Sequence, residues 1–238
     1  SRMKIFAIMK KELQSFFYSP VAYIVFASFL MIVGYLFWVI LISSRMASLE
    51  PMLYNAAFIL LLASPVLTMR LVSEEKKSRT IELLLTSPIS PAEIIAGKFL
   101  ACFTLYLVLI LLTVQYPLVL SAYSTEFDMG PVYSGYIGLV LLGAAFISMG
   151  LFASTLTENQ IIAAMVSFGG LVLFWIFGWA KHAFDNAFGQ ILGNLSIFDR
   201  YAEFLRGIVD SGNVIFFVVF TLTWLFLATR VLESDRWR

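Results

Sequence analysis

Charged residues are scarce in this sequence. Of its 238 residues only 13% are Asp, Glu, Lys or Arg and 61% are hydrophobic, whereas ordinary soluble domains are about 25% charged and about 45–50% apolar. A soluble protein must cover its outside with polar groups, which this composition cannot supply. The composition therefore excludes a soluble globular domain, a disordered tail and a nucleic-acid-binding domain. We expect the protein to be surrounded by membrane lipid and to bind no nucleic acid.

Cysteine and histidine are nearly absent, with one residue of each kind. A single cysteine, Cys102, cannot form an internal disulfide, and together with His182 it cannot build a metal site. The one Gly-Lys pair, Gly97-Lys98, lacks the glycine that a phosphate-binding loop requires five positions earlier. We therefore expect no catalytic residue, metal or cofactor in this chain, and no enzyme activity of its own.

The charges that are present occur in clusters, and the stretches between the clusters are long and apolar. About 20 helical residues cross a bilayer, and none of the stretches alternates between polar and apolar residues as a barrel strand would. The pattern predicts an all-α polytopic membrane protein with six transmembrane helices. The expected spans are 20–42, 51–71, 91–122, 131–156, 158–180 and 212–232.

Lys and Arg are distributed unequally between the two sides of such a layout. With six spans, both termini share one side with the loops after spans two and four, and that side carries twelve of the 16 basic residues. The positive-inside rule then places both termini in the cytoplasm. The twelve are Arg2, Lys4, Lys10, Lys11, Arg70, Lys76, Lys77, Arg79, Lys98, Arg230, Arg236 and Arg238, and the other four are Arg45, Lys181, Arg200 and Arg206.

Local signals mark where several helices begin or bend. Ser90 to Glu93 and Thr157 to Gln160 both have the spacing of a capping box. Pro65 and Pro117 lie inside spans two and three, where each removes a backbone hydrogen bond and should bend its helix. The bends serve either packing or gating. Gly150 and Ser154, four positions apart in span four, are typical of closely packed membrane helices.

Two segments outside the spans have helical patterns. Residues 3–18 are amphipathic, although Ile8 falls outside the apolar face, and predict a helix lying flat at the cytoplasmic interface. The alternative is a simple extension of span one into the cytosol. Residues 184–207 are too short to span and predict a helical hairpin in the outer leaflet, with a plain surface loop as the alternative.

The loop 73–90 is the one sizeable cytoplasmic feature. A dense run of charges is followed by Ile81, Leu83, Leu84 and Leu85, which would be exposed beside those charges. An apolar patch surrounded by charge indicates a protein contact or a position among lipid headgroups. Because the formal charges lie at span ends or in loops, while ion-coupled transporters keep ionisable groups near the bilayer midplane, any uphill transport needs an external source of energy.

The order of these elements, and the loop from Glu74 to Ser90 that continues to Gly97-Lys98, resemble the permease subunits of type-2 ABC transporters. The segments 152–160 and 204–210 are similar to segments that lie further along the sequences of that family. Within the family the sequence is most similar to the gliding-motility-associated permease branch (GldF-like). The resemblance implies a permease of the bacterial inner membrane, expected to act as an exporter, with a coupling helix between spans two and three.

The resemblance also implies partners. A separate ABC ATPase subunit would bind ATP and Mg and would contact the coupling helix. A second permease copy, or a related membrane subunit with an extracytoplasmic domain, would complete the pathway. The residues carried over as the ATPase contact are Glu74, Glu75, Lys76, Lys77, Thr80 and Glu82.

One position departs from the family pattern, and one alternative function stays open. Family members usually have glycine where this chain has Arg79. Without that glycine, the expected coupling helix runs unbroken through Arg79. The alternative function is an ATPase-driven component that transmits force, or assembles a membrane complex, and passes no substrate.

Overall fold

The computed structural model describes residues 2–44, 48–123, 127–184 and 186–235. Within these ranges every regular element is an α-helix, as predicted. Six helical stretches are long and apolar enough to cross a membrane, which confirms the predicted number. Arg45, Arg236 and Arg238, which entered the count of basic residues, and residue 185 of the predicted hairpin lie outside the described ranges.

The described residues form twelve helices. Their bounds are α1 Arg2–Tyr18, α2 Pro20–Ser44, α3 Glu50–Thr68, α4 Arg70–Lys77, α5 Ile81–Thr86, α6 Pro91–Thr113, α7 Gln115–Tyr123, α8 Gly130–Leu156, α9 Gln160–Ala183, α10 Ala187–Asn194, α11 Ile197–Leu205 and α12 Ser211–Asp235. The apolar stretches of spans two and three are each divided between two helices, α3 with α4 and α6 with α7.

Helix α8 is the centre of the bundle. It packs against α3, α6, α9, α11 and α12, and small residues allow the closest approaches. A Cβ on Gly143 would lie 2.0 Å from the Tyr106 ring of α6, and the Tyr106 hydroxyl donates a hydrogen bond of 2.7 Å to the carbonyl of Leu139. Helices α2, α9 and α12 lie at the periphery and expose most of their apolar side chains, as expected for surfaces in contact with lipid.

Helix α1 packs against α6 through the face that carries Ile8, Glu12 and Phe16. The expectation that Ile8 is misplaced is wrong: its side chain is buried and fills the space beside Gly97, where a Cβ would lie 2.8 Å from it. Phe16, a member of the predicted apolar face, is buried as well. Helix α1 ends at Tyr18 before α2 begins, so the two are separate helices.

The helix starts agree with the sequence at one position and differ at another. Ser90 and Glu93 form the predicted capping box at the start of α6, with both reciprocal hydrogen bonds present. The capping box predicted from Thr157 is wrong. Asn159 caps α9 instead and accepts a hydrogen bond of 2.9 Å from the amide of Ile161. The Thr157 hydroxyl accepts from the Asn159 amide, which fixes the turn rather than the helix.

Helices α10 and α11 occupy the segment predicted as a hairpin, so the alternative of a plain loop is wrong. Helix α10 packs on α9, and α11 packs on α8. Ser196 caps α11 and accepts a hydrogen bond from the Asp199 amide. Their depth in the outer leaflet stays a prediction. We call this end of the bundle the hairpin end, and the end that contains α1, α4 and α5 the α4 end.

Candidate coupling site

The loop predicted as a coupling helix is two short helices separated by a turn. Helix α4 ends at Lys77 and α5 begins at Ile81, and Arg79 between them has a φ of 58°. The expectation of a helix unbroken through Arg79 is therefore wrong. The chain turns there because the amides of Ser78 and Arg79 close the end of α4 on the carbonyls of Glu74 and Lys76. A left-handed residue after a helix is the position that favours glycine.

The turn divides the apolar residues of the loop into two groups. Ile81 and Leu85, one helical turn apart on α5, are buried, whereas Leu83 is 72% exposed. These three and Leu84, which is half-buried, were expected to be exposed beside the charges unless something covered them. The protein itself covers two of them, and the exposed apolar surface of the loop is centred on Leu83.

The start of α4 is fixed by a single hydroxyl group from α8. Ser154 Oγ accepts hydrogen bonds from the amides of Val72 (2.9 Å) and Ser73 (3.0 Å), and it donates to the carbonyl of Met69 (3.0 Å). These backbone groups lie at the break between α3 and α4, where the helix leaves them unpaired. The small side chain expected to allow close packing thus also supplies the hydrogen bonds that the break requires.

A buried lysine binds two glutamates behind α4. Lys98 on α6 is 1% exposed, and its Nζ lies 2.8 Å from carboxylate oxygens of both Glu12 on α1 and Glu75 on α4. It donates hydrogen bonds to Glu12 and, at 2.6 Å, to the carbonyl of Leu71, and its contact with Glu75 is an ion pair. This cluster joins three helices that are far apart in the sequence.

Lys11 balances the charge of the cluster at its exposed edge. Its Nζ lies 2.8 Å from Glu75 and 3.6 Å from Glu12. Burial lowers the pKa of Lys11, but its hydrogen bond to Glu75 and the charges of the two glutamates outweigh that effect and raise it. The group therefore stays protonated at neutral pH, and its contribution to stability is lost only at alkaline pH, as the pH rises through the raised pKa.

Lys76 forms a second set of contacts on the other side of α4. Its Nζ donates to the carbonyl of Thr155 at the end of α8 (2.6 Å) and lies 2.5 Å from Asp235 at the end of α12. Glu75 and Lys76 are neighbours in the sequence, so their side chains leave α4 in different directions. One helix is thus attached to α1 and α6 on one side and to α8 and α12 on the other.

The six residues carried over as the ATPase contact fall into two groups in the structure. Glu75 and Lys76 hold α4 in the bundle through the ion pairs described above. The remaining four are exposed, and Glu74 among them forms an ion pair with Arg70 of the same helix. They are Glu74, Lys77, Thr80 and Glu82, and together with Arg79 and Leu83 they form what we call the exposed face of the loop.

The two prolines expected to bend helices occupy different surroundings. Helix α3 continues through Pro65, and its break follows four residues later at Met69. Pro117 lies in α7, three residues after the break between α6 and α7 at Val114. An apolar groove of about 590 Å³ lies beside Pro117, between α6, α7 and α8. Whether either proline serves gating stays a prediction.

Metal ligands do not assemble in the part of the chain that the structure describes. No group of three or more His, Cys, Asp or Glu side chains there has the arrangement of a metal site. Cys102 is fully buried in α6, and His182 is exposed at the end of α9.

The burial of Lys98 was not predicted. The sequence indicates Lys98 only as the edge of a charge-free stretch, although it lies well inside α6. Its partner Glu12 lies 86 positions away along the chain. The one local feature that indicates this burial is the glycine before the lysine in an apolar helix. Gly97 lets Ile8 and the backbone of α1 approach α6 closely.

Comparisons with known proteins agree with this architecture. Residues 42–230 match the family described as ABC-2 family transporter protein. The ABC transporter permease protein NatB of Bacillus subtilis (strain 168) is 25% identical over 186 residues, which are 70% of this chain and 48% of the NatB chain. This chain thus spans about half the length of that relative. Because the family match covers well over half of the chain, this membrane protein belongs to the ABC-2 family of transporter proteins.

Proposed function

We propose that the chain is the permease subunit of an ABC transporter, and that a separate ATPase subunit binds the exposed face of the α4–α5 loop. The observation that carries the proposal is the division of this loop into an anchored back and a free front. Glu75 and Lys76 attach α4 to four other helices, whereas Glu74, Lys77 and Glu82 are exposed. A force applied to the exposed side of such a segment is transmitted to the helices to which it is attached.

The exposed face has the composition of a docking surface. Leu83 lies on α5 with 72% of its surface exposed, and Glu82, Thr80 and Lys77 are exposed polar residues that precede it in the loop. Protein contacts typically place an apolar anchor at the centre and charged groups at the rim. The matched relative is itself named an ABC transporter permease protein, and permeases of this family work with an ATPase subunit. ATP and Mg would be bound by that subunit.

The proposal also covers the orientation of the chain in the membrane, the direction of transport, the second membrane subunit and the branch of the family. The excess of basic residues at the α4 end favours a cytoplasmic position for that end and for both termini, in a bacterial inner membrane. Export is the expected direction, and a second permease copy, or a related membrane subunit with an extracytoplasmic domain, would complete the pathway. Placement in the gliding-motility-associated branch rests on the sequence resemblance alone. A force-transmitting role without transport uses the same loop, and transport by the reconstituted complex distinguishes the two.

Association with an ATPase tests the proposal. The tagged chain is purified from solubilised membranes of its own organism, and ATP hydrolysis in the eluate is measured. We expect the double charge reversal Glu74→Lys with Glu82→Lys to weaken association at least about tenfold, equal to about 1.4 kcal/mol. The control is Arg206→Glu, a charge reversal of an exposed residue at the hairpin end. The proposal is contradicted if ATPase activity co-purifies equally with the parent, the double variant and the control, or with none of them.

A further inference from the structure

Helices α8 and α12 extend side by side from one end of the bundle to the other. Both begin at the hairpin end and end at the α4 end, and they pack against each other along their length. Helix α12 has 25 residues, which corresponds to a length of about 37 Å. Between Asp210 and Arg230 it carries no charge. Its polar contacts are therefore concentrated at its two ends.

At the α4 end, one ammonium group holds both helices. Lys76 Nζ contacts the Thr155 carbonyl of α8 and the Asp235 carboxylate of α12. Only 13% of the Lys76 side chain is exposed, so water screens this ion pair much less than a surface pair. Lys77, the next residue, is exposed and has no comparable contact. Lys76 thus links α4 to α12, whereas α4 is also held to α8 by the hydrogen bonds of Ser154.

At the hairpin end, α11 is bound to the same two helices. The Arg200 guanidinium donates to the Asn213 side chain of α12 (2.9 Å) and to the carbonyl of Asn194 (2.7 Å). It also lies 4.1 Å from the centre of the Phe216 ring. The Asn213 side chain in turn donates to Glu203 on α11.

Helix α11 is also attached to α8. The Ser134 hydroxyl donates to the carbonyl of Phe204. A Cβ on Gly138 would lie 2.8 Å from the Phe204 side chain, so the two helices touch without space between them. Helix α11 therefore cannot shift without moving the starts of both α8 and α12.

We propose that the α8–α12 pair couples α4 mechanically to the hairpin end, with Lys76 and Arg200 as the positioning residues at its two ends. A displacement of α4 is then transmitted to α10 and α11. The mechanical link depends on the contacts of this chain alone, whereas its use in transport rests on the proposed function. Coupling between two sites is reciprocal, so a substitution at either end must also change the stability of the helices at the other end.

Hydrogen–deuterium exchange of the full chain in lipid nanodiscs tests the link without any ATPase. We expect Lys76→Met to raise exchange in the peptide 197–205 at the opposite end by at least about fivefold, within the range of coupling free energies known for linked sites. By reciprocity, Arg200→Met raises exchange in the peptide 70–77. Exchange in the middle of α3 and α6 stays unchanged in both variants.

Matched controls separate coupling from general loosening. Lys77→Met and Arg206→Met remove exposed basic residues one position after Lys76 and six positions after Arg200, and we expect neither to change exchange at the far end. Effects of Lys76→Met and Arg200→Met that stay within their own ends overturn the proposal. So does an equal rise throughout α3 and α6, because it would report general destabilisation.

A second measurement addresses the use of the link in the complex with its ATPase. The exposed residue Phe188 on α10 is replaced by cysteine, and its rate of reaction with a membrane-impermeant maleimide is measured before and after trapping with ATP and vanadate. The native Cys102 is fully buried and adds little background. We expect trapping to change the rate in the parent and in Lys10→Met, which removes an exposed lysine outside the exposed face of the loop, and to leave it unchanged in Lys76→Met while ATP hydrolysis persists. A trapped change that survives in Lys76→Met overturns the coupling role even where the ATPase binds.

Discussion

The two ends of the bundle are held together by different forces. At the α4 end, Lys98 and Lys76 form buried or half-buried ion pairs with residues of other helices. At the hairpin end, α11 is held by the hydrogen bonds of Arg200 and Ser134 together with buried aromatic side chains, among them Phe198, Tyr201 and Phe204. An ion pair fixes the orientation of a helix at one point, and that effect is lost when one partner is removed. Apolar contacts are non-directional and spread over a larger area, so they tolerate small shifts of a helix. The comparison indicates that the orientation of α4 is set by a few charges.

The largest effect is expected from removing the central charge at the α4 end. Lys98→Met leaves the buried Glu12 and Glu75 with only Lys11, at the exposed edge of the cluster, as a cation, and we expect a loss of up to about 3–5 kcal/mol in the free energy of unfolding. Thermal unfolding of the purified chain in nanodiscs measures it. Lys10→Met, which removes an exposed lysine of α1, is the control and should leave stability unchanged.

A rescue variant shows whether the lost stability comes from unpaired charge. The triple variant Lys98→Met, Glu12→Gln and Glu75→Gln removes all three buried charges, and we expect it to recover most of the stability, because replacing a whole buried ion cluster is often neutral. If Lys98→Met alone is as stable as the parent, the claim that charges fix the α4 end is wrong.

A smaller effect is expected from disturbing the apolar contact at the hairpin end. A Cβ on Gly138 would lie 2.8 Å from the Phe204 side chain and 2.9 Å from the Tyr201 ring. Gly138→Val overfills this contact, and we expect it to cost about 1–3 kcal/mol. The matched control is Gly169→Val, because nothing lies within 4 Å of that position. Equal stability losses in the two variants would show that the close contact between α8 and α11 does not matter.

The smallest effect concerns the turn between α4 and α5. Arg79 has a φ of 58°, a conformation that costs a non-glycine residue roughly 1–2 kcal/mol. Because glycine also loses more backbone freedom on folding, we expect Arg79→Gly to stabilise the chain by less than about 1 kcal/mol. Urea unfolding measures it. A stability loss in Arg79→Gly, together with equal stability in Arg79→Ala, would contradict the left-handed turn.

Hydropathy and charge spacing predicted the six apolar helices, because each span is a local property of about 20 consecutive residues. They did not predict the cluster around Lys98 or the hydrogen bonds of Ser154, because the partners lie 86 and 82 positions away along the chain. The turn at Arg79 was missed for a related reason. Local preference favours a continuous helix there, but burial of Ile81 and Leu85 against the bundle selects a turn. Contacts between distant segments decided each of these features.

Site-specific cross-linking from Leu83 tests the central claim most directly. Leu83 is replaced by the photoreactive amino acid p-benzoylphenylalanine, and membranes of the native organism are irradiated. We predict a cross-linked product that contains this chain and a nucleotide-binding ATPase subunit, and that is absent when the same group replaces Arg206 at the hairpin end. A product that contains only lipid, or an ATPase cross-link from position 206 instead of position 83, would contradict the account.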